Sequence, residues 1–245
     1  PPPGVRLVAV ANRTPERAQR MLESVGVPVV LGDVAAASHL GGVAVAEKPE
    51  TVVEAPEVDI VIEATGSVEH GLRVVRAAIA ARKPVVLANA ELDSTFGPQL
   101  AGEARRAGVT ITNIDGDEPG VAMNLVRYAR SLGLRPVAAG NLKGMIDRYR
   151  DPDTQREFAA QHGQNPRIMT SFADGTKLAM EAAILANATG FRVGQPGMFG
   201  PACQHIREIA TRLPADLMLS HGLVDYALGA EPHTGAFVVV HEARP

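Results

Sequence analysis

The chain has 245 residues, 46% of them hydrophobic and 21% charged, with a formal net charge of −3. That balance suits a soluble globular protein of one large or two small domains, and it excludes the strong basic field that nucleic acid or an anionic membrane would select. The single cysteine, Cys203, excludes an internal disulfide and a cysteine-rich zinc site and reads as a small buried core residue; with no apolar run of membrane-spanning length and no signal peptide, the composition fits a reducing cytoplasm.

In chain order, the Val-rich run at residues 5–10 predicts a strand covered on both faces. Thr14 as N-cap and Pro15 at the first helical position predict a helix to about residue 25, with a short strand following at 27–31. Further strands are expected at 59–64, 84–88 and 109–113, and helices at 68–81 and 99–107. This alternation implies parallel crossover units and a doubly wound sheet, Rossmann-like in type, within an α/β protein. The character changes after Asp115, so the domain boundary is placed near residue 117: 1–117 for a partial dinucleotide-binding domain, 118–245 for a partial α+β catalytic domain. In the second part the pattern predicts a helix at 121–132, a short strand at 137–139 running into Gly140-Asn141-Leu142-Lys143-Gly144, a charged loop at 147–167, a helix at 174–188 and a final strand at 236–241.

A dinucleotide-binding sheet needs a glycine loop after its first strand, and no G-x-G-x-x-G occurs here. The run at 5–10 is therefore expected to be the second strand, with the first strand and its glycine loop upstream of Pro1; both ends are read as cut. Asn12-Arg13-Thr14 follows that strand, where NAD enzymes usually carry a carboxylate for the ribose hydroxyls. A guanidinium there suits a 2′-phosphate instead, which favours NADP; the alternative is a solvated Arg at a helix start. Thr65-Gly66 and Asn89-Ala90 end two further strands, where ligands of parallel sheets sit, although Gly and Asn also serve ordinary turns.

The stretches LVAVANRT, VDIVIEATGS and KPVVLANAELD resemble the cofactor domain of homoserine dehydrogenase-like proteins. DGDEPGVAMNL, GNLKGMIDRYRDPDTQ, TSFADGTKLAMEAAILANATGF and GLVDYALGAEPHTGAFV resemble one branch of that group, the 1-deoxy-D-xylulose 5-phosphate reductoisomerase-like oxidoreductases, also labelled SAF-domain proteins. The resemblance covers nearly the entire chain. It implies NADPH-dependent conversion of 1-deoxy-D-xylulose 5-phosphate to 2-C-methyl-D-erythritol 4-phosphate in isoprenoid synthesis, on a small phosphorylated substrate. A homo-oligomer stays open.

Such chemistry needs proton shuttles, stabilisation of developing oxyanions and an anion pocket. Asp115, Asp117 and Glu118 cluster after the last cofactor-domain strand; paired carboxylates can split their pKa values or bind a divalent cation, though no specific metal motif is present, and they also suit a solvated acidic turn before a helix. Lys143, between glycines, could polarise a carbonyl, with Asp147 nearby as a catalytic group and Asn141 and Arg148 as substrate contacts, the alternative being a charged surface loop. Lys177 and Glu181 share a helix face at a spacing of four, and Asn187 is expected near that face as a substrate contact. His233 is a further substrate-binding candidate, against the simpler reading of an exposed loop histidine. Two other readings remain: reduction of another small aldehyde or polyol, as in homoserine dehydrogenases, and a non-catalytic cofactor-sensing module.

Overall fold

The division between a parallel-sheet half and a second half falls between Asn113 and Ile114, a few residues ahead of the expected position. The computed structural model describes residues 3–242. In the first unit the opening apolar run pairs only at its end: β1 is Ala9–Ala11, while Val5 and Leu7 are exposed. Helix α1 (Pro15–Ser24) starts at the expected proline. After β2 (Val29–Leu31) come three elements that short, Ala- and Val-rich sequence did not reveal: α2 (Val34–His39), β3 (Val43–Ala46) and α3 (Pro49–Val53). Strand β3 is wholly buried and lies between β1 and β2 in a parallel three-stranded sheet.

The rest of this unit follows the expected alternation: β4 (Val61–Glu63), α4 (Val68–Ala80), β5 (Val85–Leu87), α5 (Ala90–Ala107) and β6 (Ile111–Asn113). Strands β4, β5 and β6 form a second parallel sheet in that order. The six strands thus keep the expected parallel, helix-alternating plan but are hydrogen-bonded as two sheets of three. One core, including Ala44, Val53, Val61, Val75, Val85 and Leu100, joins them. Helix α5 begins nine residues before its expected start (Ala90 against 99), because Asn89 caps it and its buried stripe of Leu92, Leu100 and Ala104 outweighs the hydrogen bond lost at Pro98.

The second unit opens with α6 (Glu118–Ser131) and β7 (Arg135–Lys143). Glycine suggested that the strand would stop near residue 139, yet β7 runs on to Lys143 with seven consecutive buried residues. Gly140 is what lets it: a Cβ there would lie 1.6 Å from the Asp225 carbonyl oxygen of the neighbouring strand. The segment expected as a charged loop contains α7 (Arg156–Gln161) and the start of α8 (Pro166–Ala173), and α9 (Thr176–Thr189) follows. The remaining elements are β8 (Arg192–Val193), α10 (Ile209–Arg212), α11 (Ala215–His221), β9 (Leu223–Leu228) and β10 (Gly235–His241). The sheet order is β10-β7-β9-β8, with β10 antiparallel to β7 and the other pairs parallel. Leu178, Ala182 and Leu185 of α9 pack with Ala122 and Val126 of α6 against Ala139 and Val224 on one face. Ile209, Leu213 and Met218 pack with Val137, Ala138 and Leu223 in a separate cluster, which holds the buried Cys203 as expected. Among the described residues no helix is long and apolar enough to cross a membrane.

The contact at Gly140 yields a test. Gly140→Ala should cost at least about 3 kcal/mol in urea unfolding of the full chain, because backbone cannot yield as a flexible side chain does. Gly102→Ala, whose added carbon meets nothing closer than Arg106 Nη1 at 3.6 Å, should cost nothing. Equal stability of both variants with the wild type would mean that β7 and β9 are not paired in this register.

Candidate active site

The nine-residue strand β7 ends in Lys143, and two residues earlier on the same face stands Asn141. Helix α9 places Lys177 and Glu181 one turn apart. Helix α6 begins at Glu118, directly after its N-cap residue Asp117. The three elements bring four ionisable groups and one amide together around Glu181, whose side chain is fully buried. Lys177 Nζ lies 2.7 Å from Glu181 Oε1 and 3.4 Å from Asp117 Oδ1. Lys143 Nζ lies 3.7 Å from Glu181 Oε2 and 3.6 Å from Glu118 Oε1. Asn141 Nδ2 donates to Glu181 Oε2 at 2.6 Å. The Phe172 ring lies under the Lys177 ammonium, 5.8 Å from its centroid.

Burial pushes the Glu181 carboxyl above the ordinary carboxylate range, against the pull of Lys177 and Lys143. Burial also works against the Lys177 ammonium, but its hydrogen bond to Glu181 and the charges of Glu181, Asp117 and Glu118 outweigh it and hold Lys177 above its ordinary value. The neighbouring pair splits. Burial and a hydrogen bond shared with Glu118 raise Asp117, whereas Glu118, despite burial, is lowered by that same bond and by the two lysines. The two neighbouring carboxyls are thus pushed in opposite directions, Asp117 towards the weaker acid and Glu118 towards the stronger, the divergence on which acid and base roles in one place depend.

Asp117, Glu118 and Glu181 each offer an oxygen within 4.8 Å of the others, the hard-oxygen donor type that suits a divalent cation. Two ammonium groups already lie against those oxygens, Lys177 on Asp117 and Glu181 and Lys143 on Glu118 and Glu181. A cation held by these oxygens would share them with the two lysines or displace them.

The other expected site residues divide sharply. Asp115 accepts from Asn124 Nδ2 at 2.8 Å and is not one of the three grouped carboxylates. Asp147 is not a free catalytic group: it accepts from the Tyr149 amide and from Arg150 Nε, which ties it to its own turn. Arg148 is exposed, with no hydrogen bond or ion pair among the described residues. Asn187 is exposed and off the Glu181 face, because six residues on a helix turn through about 600°, leaving it about 120° away. His233 pairs with Glu231 at 3.0 Å on the surface.

In the first unit, Asn12 accepts from the Thr14 amide at 2.9 Å, which makes it a turn residue and leaves Arg13 exposed and unpaired among the described residues. Thr65 donates its amide and hydroxyl to Glu63 Oε1. Gly66 takes a left-handed φ of 65°, and a Cβ there would meet nothing within 4 Å. Asn89 is buried: it accepts from the Leu92 amide and donates to the Ser67 carbonyl, so its amide is spent on the scaffold rather than offered to a ligand. Ala90 is the first residue of α5.

Three ionisable residues escaped the sequence reading: Glu63, Asp225 and Tyr226. The two acids are almost completely buried. Asp225 accepts from the amides of Phe199, Gly200 and Tyr226, pinning the segment before Cys203 to β9. Tyr226 pairs in register with Asn141 and is half-buried. The legible signal was an acid set inside an apolar strand, VIE and LVDYAL, where a charge is retained only with partners.

Glu181 supplies a pH test. Its raised carboxyl pKa means that folding favours the protonated form; that contribution is complete below the unfolded value of 4.5 and is lost as pH rises through the folded one. Glu181→Gln should therefore lose less stability than the wild type as pH rises above the unfolded value of 4.5, read from urea midpoints. Parallel pH profiles would show that the carboxyl is not strained by burial.

Comparison with known proteins adds family to geometry. The family model "Oxidoreductase DRL, catalytic domain" matches residues 116–245, and "Homoserine dehydrogenase, NAD binding domain" matches residues 3–113. The chain is 27% identical over 227 residues to a 1-deoxy-D-xylulose 5-phosphate reductoisomerase of Anaeromyxobacter dehalogenans, covering 92% of this chain and 52% of that protein. It thus spans about half the length of the relatives it matches. A homoserine dehydrogenase structure from Thiobacillus denitrificans superposes with a TM-score of 0.52 at 26% identity, over 77% of this chain and 42% of that one. With the clustered residues Asp117, Glu118, Asn141, Lys143, Lys177 and Glu181 all inside the catalytic-domain match, and that match spanning more than half of the sequence, the chain belongs to the DRL oxidoreductase family.

Proposed function

We propose that this chain carries the cofactor-binding and catalytic parts of an NADP-dependent oxidoreductase acting on a small phosphorylated sugar, with conversion of 1-deoxy-D-xylulose 5-phosphate to 2-C-methyl-D-erythritol 4-phosphate as the leading reaction. The observation that carries this reading is the buried Glu181 carboxyl held between two lysines beside an unlike carboxyl pair. The relatives named as reductoisomerases favour the substrate.

In net terms the ketose phosphate, NADPH and one proton give the reduced branched polyol phosphate and NADP⁺. The reduced nicotinamide, when bound, supplies the hydride. The residues at the strand ends of the first unit fit a dinucleotide: Gly66 leaves open space for close approach, and Arg13 has an uncommitted guanidinium for a 2′-phosphate. In the second unit, Lys143 and Lys177 hold negative charge as it develops on substrate oxygen. Asp117, raised by burial and its bond with Glu118, is the candidate acid, and Glu118, lowered by that bond and the two lysines, the candidate base. Glu181 and Asn141 act from behind, fixing where the two ammonium groups stand. Arg148, exposed and unpaired among the described residues, is the candidate phosphate ligand.

A second reading, reduction of a small aldehyde such as aspartate semialdehyde, is favoured by the homoserine dehydrogenase match of the first unit. Comparing turnover of deoxyxylulose phosphate with that of aspartate semialdehyde by the full-length protein separates the two.

Two substitutions test the roles. Lys143→Ala should lower kcat by about a hundredfold or more, within the range for losing one preorganised oxyanion donor; unchanged turnover would displace the site. Arg13→Ala should raise Kd for NADPH by about tenfold while leaving that for NADH unchanged, and equal effects on both would remove its assigned role.

A further inference from the structure

Glu63 is a buried acid that the reaction described above does not use. It ends β4, is 1% exposed, and has one oxygen, Oε2, with no partner among the described residues. A buried acceptor left unpaired is costly, and one that persists calls for a reason. Its other oxygen, Oε1, accepts twice from a single residue, the amide of Thr65 at 2.8 Å and the Thr65 hydroxyl at 2.5 Å. Thr65 begins the turn Thr65-Gly66-Ser67 that leads into α4, and all three turn residues are exposed. The far end of the turn is fixed from the same interior: buried Asn89 donates to the Ser67 carbonyl at 3.3 Å. The two buried side chains meet over Gly71 of α4, where a Cβ would lie 3.0 Å from Asn89 Nδ2 and 3.0 Å from Glu63 Cδ. A solvent-exposed turn at a strand end is thus held at both ends by polar side chains that themselves see no solvent.

We propose that Glu63 is a positioning residue, which sets the Thr65–Ser67 turn in the shape that receives the pyridine dinucleotide. This rests on the cofactor reading under Proposed function. It adds a residue to which neither the family match nor the sequence pattern gave a role. What the turn uses is one acceptor oxygen that takes both the Thr65 amide and the Thr65 hydroxyl. An amide in the same place keeps an acceptor oxygen and the size, whereas alanine removes both anchors and leaves Thr65 to solvent.

The test uses full-length enzyme with Glu63→Gln, Glu63→Ala and Thr65→Val, measured by NADPH fluorescence titration, steady-state kinetics and amide exchange at Thr65. Glu63→Ala is expected to raise the NADPH Kd by about tenfold and to speed exchange of the Thr65 amide, while kcat at saturating NADPH and KM for the sugar phosphate stay within about threefold. Glu63→Gln should restore both readouts to within about threefold of wild type. Thr65→Val keeps the amide anchor and removes only the hydroxyl, so it should weaken NADPH binding by about threefold and is expected to fold even if Glu63→Ala does not. An NADPH Kd unchanged in both Glu63→Ala and Thr65→Val overturns the assignment, as does a loss that falls equally on kcat and on both KM values. A wild type that binds no pyridine nucleotide overturns the cofactor reading itself, and this assignment with it; wild-type binding that survives both variants overturns the assignment alone.

Discussion

The second unit is organised by one electrostatic problem: a carboxyl with no exposed surface, Glu181, in the middle of a helix packed on a sheet. An isolated charge there would be very unfavourable, so partners must reach it. They come from three separate elements: Lys177 from α9 itself, Asn141 and Lys143 from β7, and Glu118 with Asp117 from the start of α6 through the lysines they share. The cost of breaking such a set by removing one partner is several kcal/mol, because the others are left buried and unpaired. The packing of α6 and α9 on one face of the sheet is therefore both a hydrophobic layer and the frame of the charged cluster.

The two units solve similar problems differently. In the first, polar side chains near the strand ends are consumed by backbone: Asn12, Asn89 and Glu63 all bond to amides or carbonyls of nearby turns. Arg13 is left without a partner among the described residues, and Gly66 faces open space in a turn fixed at both ends. In the second, polar side chains are consumed by one another. The first pattern suits shape-based capture of a large cofactor, the second suits charge development at one point.

How far the sequence spoke depended on whether a partner lay nearby in the chain. The Lys177–Glu181 spacing marked one helix face, and the Asp117–Glu118 pair marked a carboxylate couple, without any tertiary information. The Asn141–Glu181 bond joins residues forty apart and had no local signature. Asn187 shows the limit of the same periodicity: a span of ten residues from Lys177 accumulates enough rotation to leave the face. Asp147 and Asn89 had the right chemistry and the right neighbourhoods, but local turns had already used them. Among the elements, α5 was shortened in the reading by Gly97-Pro98, a local break that buried leucines on both sides override. The segment holding α2, β3 and α3 was missed because strands of three or four residues and helices of five or six carry too little periodicity to register.

If the cluster acts as one unit, its members should not contribute independently. A double-mutant cycle on kcat/KM in the full-length enzyme, using Lys177→Met, Glu181→Gln and their combination, measures this directly. A combined variant scarcely worse than the poorer single substitution would agree with a buried carboxyl whose work is to hold the ammonium in place. Losses that multiply as though the two residues were strangers would contradict it.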